Sequence, residues 1–247
     1  MKKKKKNGLW FGLVLLLAVV GILPFREQQT TIPAGQEHVA SYAVESQTAE
    51  NAELQTLSAT AIPAYTGEAT VVLNDNKPYF TETEYTTEAF ERYSDLDSLG
   101  RCGVAYANVC EEIMPTEERG AIGMIKPSGW HTVRYDDLIS DKYLYNRCHL
   151  IGYQLTGQNA NKQNLVTGTR YLNVTGMLPF EDEVAEYVKK TGNHVLYRVT
   201  PIFKGNNLVC SGVQMEAQSL EDDEISFNIF AYNSQPGIVI DYKTGES

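Results

Sequence analysis

The sequence predicts an α+β domain with a largely antiparallel sheet, preceded by segments that do not fold with it. Two observations carry that prediction. Four strand-like runs, Val195 to Phe203, Leu208 to Met215, Ser226 to Tyr232 and Gly237 to Tyr242, follow one another in the C-terminal part of the chain, the first two joined by a short turn. One stretch, Glu181 to Lys190, has a helical period with the apolar residues Phe180, Val184, Tyr187 and Val188 on one face. Neither an internal repeat nor a glycine-rich phosphate loop of the Walker or dinucleotide kind occurs.

The elements follow in chain order. The 247 residues include 43% hydrophobic and 10% aromatic side chains, a globular composition. Lys2 to Lys6 precede an uncharged apolar run, Gly8 to Phe25, of about the length that crosses a bilayer. The basic flank predicts a cytoplasmic N-terminus with everything after Arg26 facing outward. Residues 1–26 therefore read as a signal-anchor or signal peptide, and the domain as held at the outer face of the membrane, or secreted if the segment is cleaved. No small-x-small cleavage pattern follows Ile22 closely, which favours the anchor. Residues 27–61 are rich in Gln, Glu, Thr, Ser and Ala and lack an apolar period, so they read as a stalk. As a coil it would hold the next domain roughly 30–35 Å from the membrane.

The folded domain is expected over 62–247. Thr70 to Leu73 reads as a strand entering a turn at Asn74 to Pro78, and Ala89 to Tyr93 as a short helix. Trp130 to Tyr135 alternates like a strand, and Tyr143 to Tyr145 leads into the stretch YNRCHLI, Tyr145 to Ile151. The Glu181–Lys190 helix has acids at its start, Lys189 and Lys190 at its end, and Gly192 as a stop. Gly205-Asn206-Asn207 is expected to turn the chain between the first two C-terminal strands.

Chemistry narrows by elimination. Of four histidines, His38 lies in the stalk, His131 alternates within a strand and His194 opens one, which leaves His149 in the most polar and constrained setting. Taken alone, such a histidine is more often a hydrogen-bonded structural residue. The segment Thr156 to Glu181 alters that balance by placing amides, an arginine and a carboxylate just downstream, groups that are costly to bury without purpose.

Asn146-Arg147-Cys148-His149-Leu150-Ile151, then Asn164 to Asn173 and Gly176 to Glu181, resemble the DNA/RNA non-specific endonucleases with a ββα-metal (His-Me finger) core, and among them the DNA-entry nucleases and streptodornases of Gram-positive bacteria. The resemblance covers Ile62 to the C-terminus. The family's motif usually opens Asp-Arg-Gly-His, where this chain has Asn146-Arg147-Cys148-His149. The resemblance implies a metal-dependent endonuclease that hydrolyses DNA, and RNA as well, to products with 5′-phosphate and 3′-hydroxyl ends. It implies His149 as general base, Asn173 as the protein ligand of one Mg²⁺, with Mn²⁺ able to substitute, and Glu181 acting on the metal through a water. Arg170 is implied as the phosphate clamp, with Arg147 as the other substrate-binding candidate. Each also has a plainer role: Asn173 as a turn cap, Glu181 as a first-turn helix acid and Arg147 as a structural ion-pair partner. Asn164 reads as a loop pin through backbone hydrogen bonds.

Cys102, Cys110, Cys148 and Cys210 form no C-x-x-C pair, so zinc is disfavoured, and disulfides are the expectation for an exported chain. A Cys148–His149 nucleophilic dyad is disfavoured because neighbours on a strand point to opposite faces. The alternative to a nuclease is a non-catalytic DNA-capture protein on the same scaffold. From Tyr65 onward, 15 Lys and Arg stand against 26 Asp and Glu, a difference of −11, which suits transient contact with a polyanion better than stable holding. Nothing in the sequence points to a protein partner.

Overall fold

The structure, a computed structural model, describes residues 62–247. The expected anchor and stalk lie outside these residues. Among the described residues no helix is long and apolar enough to cross a membrane.

The main sheet is antiparallel throughout, with six strands in the order β1 (Thr70–Val72), β8 (Ser226–Tyr232), β7 (Gly212–Ser219), β6 (Val195–Ile202), β3 (Ala105–Val109) and β2 (Phe90–Tyr93). Its central strands are buried on both faces for different reasons. On one face the cross-strand rows Tyr197–Ala217–Phe227 and Val199–Met215–Ile229 are wholly apolar and form the core. On the other, the row Arg198–Glu216–Asn228 is polar, and the segment Tyr79–Glu84 lies over it. Arg198 pairs with Glu216 at 2.9 Å and Glu84 at 3.0 Å, and its guanidinium stacks 4.7 Å from the Phe80 ring. Burial of that charge is tolerable because it is paired twice.

A second sheet consists of the hairpin β4 (Tyr145–His149) and β5 (Leu165–Thr169), in register from Tyr145↔Thr169 to His149↔Leu165. Between its strands lies the one-turn helix α1 (Tyr153–Thr156). After β5 the chain enters a π-helical turn (Leu172–Met177) that continues into α2 (Leu178–Thr191). This strand–strand–helix unit packs on the apolar face of the main sheet through Leu150, Leu172, Met177, Val184 and Val188. The α+β class with an antiparallel sheet is thus the observed one. The expected helix over Glu181–Lys190 is present with an earlier start; Gly192 ends it at φ 73°, where its N–H bonds the Val188 carbonyl. Only glycine takes that left-handed conformation cheaply.

Several expectations need correction. Ala89–Tyr93 is not a helix: Phe90–Tyr93 pairs with β3, because five residues cannot offset helix nucleation while a neighbouring strand offers ladder bonds at once. Its side chains obey a period of two, Phe90 meeting Tyr106 on one face and Tyr93 meeting Thr156 on the other. Trp130–Tyr135 and Gly237–Tyr242 make only isolated bridges, Arg134↔Tyr143 and Gln235↔Ile238. Their alternation serves a satellite apolar cluster in which Trp130, Val133, Tyr135, Ile238 and Tyr242 surround Leu144 and Tyr145. The strand expected at Leu208–Met215 begins at Gly212, since Leu208 and Val209 bond to the C-terminal tail instead. It runs on to Ser219 because β6 pairs with it along its whole length, Val195 opposite Ser219, and β8 as far as Gln218. No disulfide forms, as all four cysteines are free and buried. Cys102 donates to the Leu165 carbonyl, Cys148 to the Asn173 side chain, and Cys210 accepts from Asn233, so the thiols act as small polar groups of the core.

Candidate active site

The site forms where β4 ends. Asn164, fully buried, accepts from the Ile151 N–H and donates to the Ile151 carbonyl, both at 2.9 Å, and so fixes the backbone just beyond His149. That is the loop-pinning role read from the sequence. His149 itself is 6% exposed. Its Nε2 lies 2.8 Å from the Asn159 carbonyl oxygen, which only accepts, so the proton sits on Nε2 and the lone pair on Nδ1. Burial first, and the nearby Arg119 cation as well, hold the imidazole below its ordinary pKa, against the Asn159 contact, which raises it. A neutral ring with its basic nitrogen fixed is the state a general base requires.

Arg119 faces that nitrogen, with Nη2 3.3 Å from Nδ1. It lies on an exposed loop, so the guanidinium can turn outward without unpacking the core. Glu181, in the first turn of α2, is 8% exposed and stands against the backbone of Gly152. Burial, with Asp182 adding to it, pushes its carboxyl up to about 8, while Arg119 and the Gly152 N–H act in the opposite direction. A cation brought beside it would favour its ionised, carboxylate form. Gly152 leaves room for that group: a Cβ here would lie 2.8–3.0 Å from the Glu181 carboxyl atoms, so a side chain at 152 would displace them.

Asn173 sits in the π-helical turn, half-buried, with Cys148 Sγ 3.1 Å from its Oδ1. A π turn winds more slowly than an α turn, about 80° against 100° per residue, so residues 173 and 181 come round to nearly the same face of the helix. In an uninterrupted α-helix they would be offset by roughly 80°.

Two sequence candidates lie elsewhere. Arg147 stacks 4.0 Å from the Trp130 ring and donates to the carbonyls of Gly123 and Ile125. It shares a face of β4 with His149 but is engaged by the loop that carries Arg119. Arg170 follows β5 and pairs with Asp141 at 2.7 Å at the other end of the hairpin, five residues and about 16 Å along the strand from the residue opposite His149. The expected phosphate clamp is not beside the base. The arginine that is beside it, Arg119, lies 30 residues upstream in a loop without periodicity, and nothing local in the sequence singles it out. Gly152, right after a buried strand exit, was the more legible omission. A cavity of about 800 Å³ lies apart from these groups and is lined by Glu88, Glu221, Asp222 and Asp223, a charge that repels phosphodiesters.

Together these residues offer a fixed neutral base, a guanidinium from an exposed loop beside it, and an amide oxygen and a carboxyl group of the kinds a hard cation takes. The sequence model of a family described as DNA/RNA non-specific endonuclease matches residues 81–221. Among solved structures, NucA from Streptococcus agalactiae with magnesium ion bound is 27% identical, with 74% of this chain and 87% of that chain covered and a TM-score of 0.65. The same nuclease with no metal bound is also 27% identical, with 78% and 94% covered and a TM-score of 0.66. The Sda1 nuclease with bound zinc ion, at 24% identity, 72% and 95% coverage and a TM-score of 0.60, shares the fold.

Proposed function

The chain belongs to the DNA/RNA non-specific endonuclease family and is a nuclease; from that premise we propose that it hydrolyses phosphodiester bonds of DNA and RNA with His149 as general base, leaving 5′-phosphate ends. The observation that carries this reading is the fixed tautomer of His149, whose Nε2 is committed to the Asn159 carbonyl and whose Nδ1 faces outward to Arg119. In this reading Nδ1 takes the proton of a water that attacks phosphorus in line. Arg119 leaves the imidazole for a phosphate oxygen as the substrate enters, which frees the lone pair and places positive charge where negative charge develops. The proton taken up stays on a ring whose other nitrogen is held, so the base does not rotate between turnovers.

The donor set fits a divalent cation that keeps most of its waters. Asn173 offers a neutral amide oxygen and Glu181 a carboxylate. Among the described residues no cluster of three or more His, Cys, Asp or Glu side chains forms a tighter cage. That set suits Mg²⁺, with Mn²⁺ as a substitute, better than a zinc site. When bound, the cation supplies charge neutralisation on the phosphate and stabilises the leaving 3′-oxygen. Asn173 would hold it directly, and Glu181 through a water that the carboxylate orients. The magnesium of the similar Streptococcus agalactiae nuclease supports this choice.

The test is cleavage of plasmid DNA and single-stranded RNA by the purified full-length protein with Mg²⁺. His149→Ala is expected to lower the rate on both polymers by about 10²–10⁴-fold, the usual contribution of a general base. EDTA is expected to abolish it, with Mg²⁺ or Mn²⁺ restoring it. Unchanged cleavage by the His149→Ala protein would refute the assignment of the base, and unchanged cleavage in EDTA the assignment of the metal.

A further inference from the structure

We propose that Cys148 is a positioning residue for the reaction: its S–H, donated to Asn173 Oδ1, fixes which end of that amide faces the cation. The inference rests on the reading of Asn173 as metal ligand. Alternation along β4 sends His149 to the Arg119 side and Cys148 to the helix side, where the thiol is fully buried. Its sulfur has three acceptors in reach: Asn173 Oδ1 at 3.1 Å, Met177 Sδ at 3.5 Å and the His149 carbonyl at 3.7 Å. The amide oxygen is both the nearest and a stronger acceptor than a thioether. No other hydrogen bond of the Asn173 side chain occurs among the described residues, so the thiol alone orients it.

That matters because the two ends of an asparagine amide are nearly the same shape but opposite in chemistry. With Oδ1 toward the site, one lone pair accepts from sulfur and the other is open to a cation. Flipped, the amide would present N–H donors to a positive charge. A glycine at 148, usual in the family's motif, offers no donor. Here the β5 residue diagonal to Cys148 is itself a glycine, Gly168, whose Cβ would lie only 2.6 Å from the Cys148 Cβ. The thiol is thus accommodated by the hairpin rather than forced into it.

The experiment is calorimetric titration of the full-length protein with Mg²⁺, and separately with Mn²⁺, in the absence of nucleic acid, with melting temperatures recorded alongside. Cys148→Ala, which lacks the donor, is expected to weaken cation binding roughly three- to ten-fold, the range of one lost hydrogen bond. Cys148→Ser, which keeps a donor, is expected to stay within about two-fold of the wild type. In an Asn173→Asp background, where both oxygens are equivalent, the alanine cost is expected to vanish. Cys148→Gly serves as the donor-free variant if the alanine protein does not fold. Equal losses for Ser and Ala, or a lower melting temperature with unchanged cation binding, would reduce Cys148 to packing and overturn the proposal. Asn173→Ala separates the two levels: if it binds the cation as the wild type does, the ligand assignment itself fails, and the role of Cys148 with it.

Discussion

The two ends of the β4–β5 hairpin are built from similar residues and do different work. At the His149 end, a buried imidazole, a buried carboxylate and an exposed arginine converge, and both titratable groups are displaced from their ordinary pKa values. At the Tyr145 end, Arg170 meets Asp141 in a pair whose side chains are 33% and 55% exposed, in an environment close to water. Between them, Arg147 braces a loop against Trp130. Nearness in sequence to the histidine motif is therefore a poor guide to nearness in space. A strand separates its own ends by about 3.3 Å per residue, while a loop from 30 residues upstream can fold back onto the base.

The strongest way to break this contrast is Arg119→Ala. A guanidinium that moves from the base to the phosphate contributes to the transition state, so kcat/KM is expected to fall about 10²–10³-fold. Arg119→Lys should recover only part, since an ammonium lacks the planar fork. The pH profile supplies a second readout. His149 acts when neutral, above its pKa, and the Arg119 charge is one of the causes holding that pKa down. Its removal should move the acidic limb of kcat/KM toward higher pH. A full rate with an unmoved limb would place Arg119 outside the chemistry.

The fold class, the α2 helix, β8 and the roles of His149 and Asn164 as exit residue and pin were legible because each has a local signature. The helix carries a 3.6-residue period with charged ends and a glycine stop, and Asn164 is an amide beside an apolar run. What escaped depends on tertiary contacts. β2 became a strand only because β3 lay beside it, and the 208–211 segment was diverted by the tail. Arg119 is chosen by loop closure alone. Arg147 and Arg170 show the converse, that a charge next to a motif can be engaged by the motif's own surroundings, Trp130 and two loop carbonyls for the one and Asp141 for the other.

A smaller effect is expected from Gly152→Ala. The added methyl would meet the Glu181 carboxylate, the flexible end of a side chain, rather than backbone. The carboxylate can give way, so the melting temperature should change little while Glu181 loses its aim. Activity at limiting Mg²⁺ is expected to drop about ten-fold and to recover in part at high Mg²⁺, as for loss of a group that orients a metal's surroundings. In a Glu181→Ala background the same substitution should cost nothing further. A large loss of stability would mean that Gly152 serves the fold and not the carboxylate.

The smallest effect belongs to the far end of the hairpin. Arg170→Ala breaks an exposed pair, a type of interaction worth about 0–1 kcal/mol, and leaves no buried charge behind. Cleavage of short oligonucleotides is expected to stay within about two- to three-fold of the wild type, with stability changed by less than 1 kcal/mol. Long duplexes make the comparison sharper, because a substrate that extends along the hairpin would reach Arg170 even though the scissile phosphate does not. If Arg170 holds a distant phosphate, its loss should raise KM on long DNA only and reduce the steepness of the salt dependence by about one unit. Asp141→Ala, which frees the guanidinium, should then act in the opposite direction on KM. Should Arg170→Ala instead lower kcat on short substrates as strongly as Arg119→Ala does, the division of labour between the two ends would collapse, and the clamp first read from the sequence would have to be carried to the reacting phosphate by a movement of the hairpin.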